Sequence, residues 1–136
     1  MTKVSESLEV LDGPWSGLSW DTGLTAKVAR LRRQPLQSLG VEDLRMLIGQ
    51  EVGLAHLIPL ALDVLEANPL AEGALYPGDL LSNVLAAQVW IAEHDTLWER
   101  LLRVVANALK EPCLLEPSYL PLYQRLGQFA QDQFSD

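Results

Sequence analysis

Two histidines, one cysteine and eighteen carboxylates are the side chains of this 136-residue chain from which a reaction centre or a metal site could be built. His56 lies between Ala55 and Leu57 in an apolar run. As a general base or ligand it needs a carboxylate partner, and Glu51 or Glu66 could serve only if the fold brought them to it. It reads as a surface or satisfied, partly buried imidazole. His94, in Glu93-His94-Asp95, falls at a junction between two expected helices, where a cation favours the end of the earlier one. Neither histidine belongs to an H-E-x-x-H pair, so zinc is not indicated. Cys113, between Pro112 and Leu114, has no adjacent cation or histidine to make a thiolate, and reads as packing. There is no glycine-rich phosphate loop, no G-x-S-x-G elbow and no paired cysteine motif. Glu42, Asp43, Asp63, Glu66, Glu72 and Asp79 could in principle gather a metal across helices. The Glu-x-x-His pairs that usually build a di-metal bundle are missing, however. No catalytic residue, cofactor or metal site is therefore expected, and the chain reads as a binding protein rather than an enzyme.

The carboxylates are unevenly spread. Residues 1–40 hold four acids and five bases, and residues 100–136 hold four of each. Between them, ten acids from Glu42 to Glu99 face Arg45 alone, a local charge of −9 within a total of −8. Such a segment either solvates the surface or presents a field that draws a cationic partner. Nucleic acid and anionic lipid are disfavoured partners for the same reason. The longest apolar stretch, near Leu57 to Leu62, is too short to cross a bilayer, and Glu6 and Glu9 interrupt any export signal. With a single cysteine there is no intrachain disulfide. A cytoplasmic location is the expectation.

The elements that must carry these acids are helices. Leucine occurs 28 times and alanine 13, against 17 for valine, isoleucine and threonine together, a balance that favours helix over sheet. Leu24, Val28 and Leu31 form one stripe before Pro35, and Val41, Leu44, Leu47 and Ile48 form the next, with Gly49 and Gly53 bracketing its end. Leu54, Leu57, Ile58, Ala61, Leu62 and Leu65 give the cleanest helical repeat, with Pro59 expected to kink a continuous helix that stops at Asn68-Pro69. Residues 69–78 carry two prolines and two glycines and read as a loop that Leu70, Leu75 and Tyr76 tuck onto the core. A helix is expected at about 79–93. Thr96 and Glu99 suggest a capping box for another at about 97–110, and Ser118 a cap for the last, whose stripe runs from Tyr119 to Phe134. The first 23 residues, with Trp15 and Trp20, read as a short helix or arm plus a loop. The whole is expected to be one all-α domain, a compact antiparallel bundle of five to six helices.

Pro35-Leu36, Leu39, Val41-Glu42-Asp43-Leu44-Arg45-Met46-Leu47-Ile48-Gly49-Gln50, Gly53-Leu54 and Leu57-Ile58-Pro59-Leu60-Ala61-Leu62 stand in one central block. It continues through Asn68-Pro69-Leu70-Ala71-Glu72-Gly73 and Tyr76-Pro77-Gly78-Asp79-Leu80-Leu81. This block, and above all its E-D-L-R-x-L-I-G-Q and Y-P-G-D-L-L strings, resembles the immunity proteins of bacterial contact-dependent growth inhibition (CDI) systems. The resemblance implies a protein that binds and blocks the C-terminal toxin domain of a cognate effector in the cytoplasm. Many such toxins are nucleases, and a nuclease's cationic cleft suits an acidic inhibitor. Most of the shared block consists of turn, kink and core residues, and is expected to define the fold. Glu42, Asp43, Glu66, Glu72 and Asp79, as exposed acids near helix ends and in the loop, are the expected toxin contacts, while Arg45 pairs with Glu42 or Glu51. A rival expectation is a helical adaptor docking another cellular partner through Trp15, Trp20, Trp90 and Trp98.

Overall fold

A computed structural model describes residues 5–13 and 23–134, and these are folded entirely around α-helices and short 3-10 turns. Trp15 and Trp20 lie outside the described residues. The first helix, α1 (Leu8–Asp12), starts where the Ser7 hydroxyl accepts the Val10 N–H at 3.4 Å. It is held against the rest of the chain by Leu36 N–H donating to the Glu6 carbonyl at 3.0 Å, and by Leu8, which is fully buried. Then come α2 (Gly23–Arg32), α3 (Val41–Gly49), α4 (Leu54–Ala67), α5 (Asp79–Ala86), α6 (Gln88–Ala92), α7 (Asp95–Leu109) and α8 (Leu120–Phe134). None of the helices among the described residues is long and apolar enough to cross a membrane.

Eight helices among the described residues exceed the expected five or six, and the extra ones have local causes. The stretch 79–93 divides at Ala87, whose N–H bonds the Val84 carbonyl three residues back; the tightened turn redirects the chain before α6. The helix expected from 97 begins at Asp95 with His94 as the extended N-cap residue, so Thr96 sits inside the first turn and no Thr96 cap forms. A 3-10 turn, Pro117–Tyr119, leads directly into α8. Pro59 stands inside a continuous α4, as expected. Leu24, expected on the buried stripe of α2, is 43% exposed, while Val28 and Leu31 are buried.

The centre of the molecule is α5. Asp79, Leu80, Leu81, Ser82, Val84 and Leu85 are all buried, because this helix is packed by α3, α4, α6 and α8. A helix apolar on most of its circumference has to be surrounded. Buried side chains from Leu8 to Phe129 join in one cluster. Close approach at its edges demands glycine: Gly53, in the left-handed region at φ +63°, leaves no room for a Cβ, which would stand 2.7 Å from the Leu8 side chain. That fit locks α1 onto the α3–α4 turn and fixes where Asp12 lies.

Candidate functional site

The two motif strings, separated in sequence by α4 and a loop, meet in space because α3 packs on α5. Arg45 is the hinge of the meeting. Its Nε donates to Glu42 Oε1 and its Nη2 to Glu42 Oε2, both at 2.6 Å, and Nε lies 3.8 Å from Asp79 Oδ2. The loop between the strings wraps its amides around the same acids. Gly73 N–H donates to Asp79 Oδ1 at 2.5 Å, Leu75 and Tyr76 N–H donate to Asp79 Oδ2 at 2.9 and 3.3 Å, and Ala74 N–H donates to Glu42 Oε1 at 2.7 Å. Four consecutive amides and one guanidinium thus saturate two carboxylates. The bonded Arg45 guanidinium holds the Glu42 carboxyl at about 2, down from 4.5, with partial burial opposing and the Ala74 amide assisting. Gly73 is required here: a Cβ would fall 2.6 Å from Glu42 Oε1 and 3.1 Å from each Asp79 oxygen. Asn83 extends the joint, donating to the Arg45 carbonyl at 2.8 Å.

This arrangement corrects some expectations and reassigns others. Asp79 is not an exposed acid; it is 0% exposed, and the amides turned towards it are what make its burial tolerable. Because the loop backbone faces inward there, Leu75 points outward at 64% exposed instead of tucking onto the core, whereas Leu70 is buried as expected. Glu42 and Asp43 are half-buried instead of exposed; Glu42 is engaged as described, with Arg45 choosing Glu42 over Glu51. Asp43 caps α3, accepting the Gly40 N–H at 2.9 Å. Glu66 is exposed but tied: Arg100 donates to both of its oxygens, at 2.6 and 3.1 Å, and to Asp63 at 2.6 Å. Those bonds lower the Glu66 carboxyl. Glu72 is exposed and, among the described residues, has no ion pair. The structure therefore joins Glu42 to Asp79 but leaves Glu66 and Glu72 outside that cluster.

The remaining chemistry-bearing residues have structural roles. His94 stacks on Trp90 with ring centroids 4.0 Å apart, and its Nδ1 meets the Trp90 carbonyl at 2.9 Å. Trp98 packs on Phe129 at 5.7 Å. Both tryptophans lean on the core, which weakens them as free anchors for an adaptor. Cys113 is half-buried beside Tyr119. Among the described residues, no group of three or more histidines, cysteines or carboxylates could hold a metal.

Four of the ten central acids (Glu42, Asp63, Glu66 and Asp79) are ion-paired to Arg45 or Arg100. Glu51, Glu72, Glu93, Asp95 and Glu99 are exposed, with no ion pair among the described residues. Two of these, Glu51 and Glu93, face a groove of about 580 Å³ together with Asp12, Gly53, Leu54, Ala55, Val89 and Trp90. Four elements build it: the end of α1, the α3–α4 turn, the first turn of α4, and α6 with the residue after it. Periodicity and motifs did not single out this groove, since its members are spread from residue 12 to residue 93. The charge count of the middle segment was the one signal that pointed towards it. A smaller apolar cleft of about 190 Å³ lies near the C-terminus between Leu114, Leu115, Pro117, Leu120 and Tyr123.

A family model described as CDI immunity proteins matches residues 11–101, a span that contains both motif strings, the knot of Glu42, Arg45 and Asp79, and every residue lining the groove. No curated protein and no solved structure matches the chain.

Proposed function

We propose, from the premise that this chain belongs to the CDI immunity protein family, that it binds the C-terminal toxin domain of its cognate effector in the cytoplasm and blocks it by occupation, with no chemistry of its own. The toxin in this reading is a nuclease, whose polyanionic substrate demands a cationic cleft, and the acidic middle of the immunity protein covers that cleft. The observation that carries the reading is the set of five exposed acids, Glu51, Glu72, Glu93, Asp95 and Glu99, with no cationic partner among the described residues. Charges that hold the fold together are neutralised internally; these are available to another molecule. Of the acids singled out from sequence, Glu66 and Glu72 remain contacts in this reading, and Glu51 and Glu93 join them. Glu42, Asp43 and Asp79 contribute by holding the surface in shape.

Co-expression tests it. Cells producing the toxin domain encoded next to this gene are expected to grow when the chain is supplied and to die without it. Titration of the purified pair by calorimetry between about 0.05 and about 0.5 M salt is expected to weaken binding at least tenfold, since salt screens opposed surface charges. Failure of rescue overturns the immunity reading, and salt-independent binding overturns its electrostatic part.

A further inference from the structure

The groove between α1, the α3–α4 turn and α6 has a composition that selects its occupant. Its charged lining is Asp12, Glu51 and Glu93, with no lysine or arginine among the lining residues. Among the described residues, only Asp12 of these three has an ion-pair partner: Arg32 Nη2 at 3.8 Å. That arginine is buried and already donates to the Gly13 carbonyl at 2.7 Å, so it cannot swing out to neutralise the cleft. One backbone acceptor in the lining is also left without its usual donor. Pro59 has no N–H, so the carbonyl of groove-lining Ala55, four residues earlier, lacks its helical donor. Beside these acceptors lie apolar surfaces that solvent would not choose to wet, notably Val89 at 77% exposed and the half-buried Trp90 ring.

We infer that this groove is the seat of a basic segment of the toxin domain, one arginine or lysine side chain entering among Glu51, Glu93 and Asp12 while its aliphatic stem and apolar neighbours cover Val89 and Trp90. The inference rests on the immunity reading above and names the surface and the partner chemistry that the reading leaves open. An arginine suits the site best, because its fork of donors can engage a carboxylate and a carbonyl together while its stem packs on apolar surface. Acidic or neutral segments are rejected by the uncompensated field. Charge complementarity distinguishes this groove from the C-terminal apolar cleft, whose only charged lining residue is Glu116.

The experiment uses the full chain and the purified C-terminal domain of the effector encoded beside it. Three variants are compared with wild type by calorimetry and by growth rescue: Glu51→Gln with Glu93→Gln, Val89→Arg, and Glu111→Gln. All four positions are exposed, so folding is preserved and is verified by thermal unfolding. The double neutralisation is expected to weaken binding at least tenfold, and Val89→Arg, which places a cation in the seat, at least a hundredfold with loss of rescue. Glu111→Gln is expected to stay within about threefold of wild type, as an exposed carboxylate outside both the groove and the acidic middle segment. Wild-type binding with unaltered affinity in both groove variants overturns the groove assignment and leaves the immunity reading standing. A wild-type chain that neither binds nor protects overturns both.

Discussion

Asp79 and Glu93 are carboxylates at the ends of neighbouring helices, yet the fold treats them oppositely. Asp79 is sealed at 0% exposed with three backbone amides and Arg45 around it, while Glu93 stands in solvent at the groove with no ion pair among the described residues. The contrast extends to their surroundings. Around Asp79 and Glu42, four successive loop amides and a guanidinium answer every carboxylate; around Glu93 and Glu51, the groove lining supplies no lysine or arginine. A saturated acid is structural because removing it strands its partners in a dry place. An unsaturated acid on the surface costs the fold nothing to lose and is free to recruit a partner.

The strongest way to break the contrast is Asp79→Asn. The substitution keeps the shape but removes the charge opposite Arg45, and it turns an NH2 group towards amides that also donate. It is expected to cost about 3 kcal/mol, roughly 10 °C in Tm, in thermal unfolding. A loss under about 0.5 kcal/mol would mean that the knot is not structural. Next comes Gly73→Ala, where the added methyl meets carboxylate oxygens that are themselves pinned. It is expected to cost about 1–2 kcal/mol and to leave the helical circular dichroism spectrum intact.

A subtler effect is in pH. Glu42 binds its proton more weakly in the folded protein, at about 2, than in the unfolded chain near 4.5. Its contribution is therefore fully present above about 4.5 and is lost progressively as the pH falls from there towards 2. Urea unfolding is expected to show wild type well ahead of Glu42→Gln at pH 6, with the gap narrowing at pH 3; a constant gap removes Arg45 from the account. The smallest expected change sharpens the other side of the comparison. Glu93→Gln, with no ion pair to lose among the described residues, is expected to leave stability within about 0.5 kcal/mol of wild type in the same unfolding experiment.

Much of the fold was legible in the residues. The leucine stripes at helical spacing located α2, α3, α4, α7 and α8 to within a few positions, because an amphipathic helix must show its buried face every three to four residues. The break at Ala87 was not legible: Leu85, Gln88 and Ile91 keep a helical rhythm through it, and only the change of hydrogen-bond partner at Ala87 reveals two helices. Leu75 was misjudged for a related reason, since hydropathy says that a leucine favours the core but not that its own amide is committed to Asp79 and turns the side chain away. The shared strings were readable as fold-defining. That they do so through Glu42, Arg45 and Asp79 depended on contacts between α3 and α5, which spacing along the chain does not encode.

By itself the sequence determined an all-helical chain, the anionic bias of its middle segment, and a kinship carried by turn and core residues, because propensity, charge and periodicity are local sums over neighbouring positions. Only the tertiary structure decided which of those anions are spent inside and which are offered outside. That choice depends on whether backbone amides and arginines from distant segments arrive within hydrogen-bond range of a given carboxylate, a property of the packed helices that no single segment possesses.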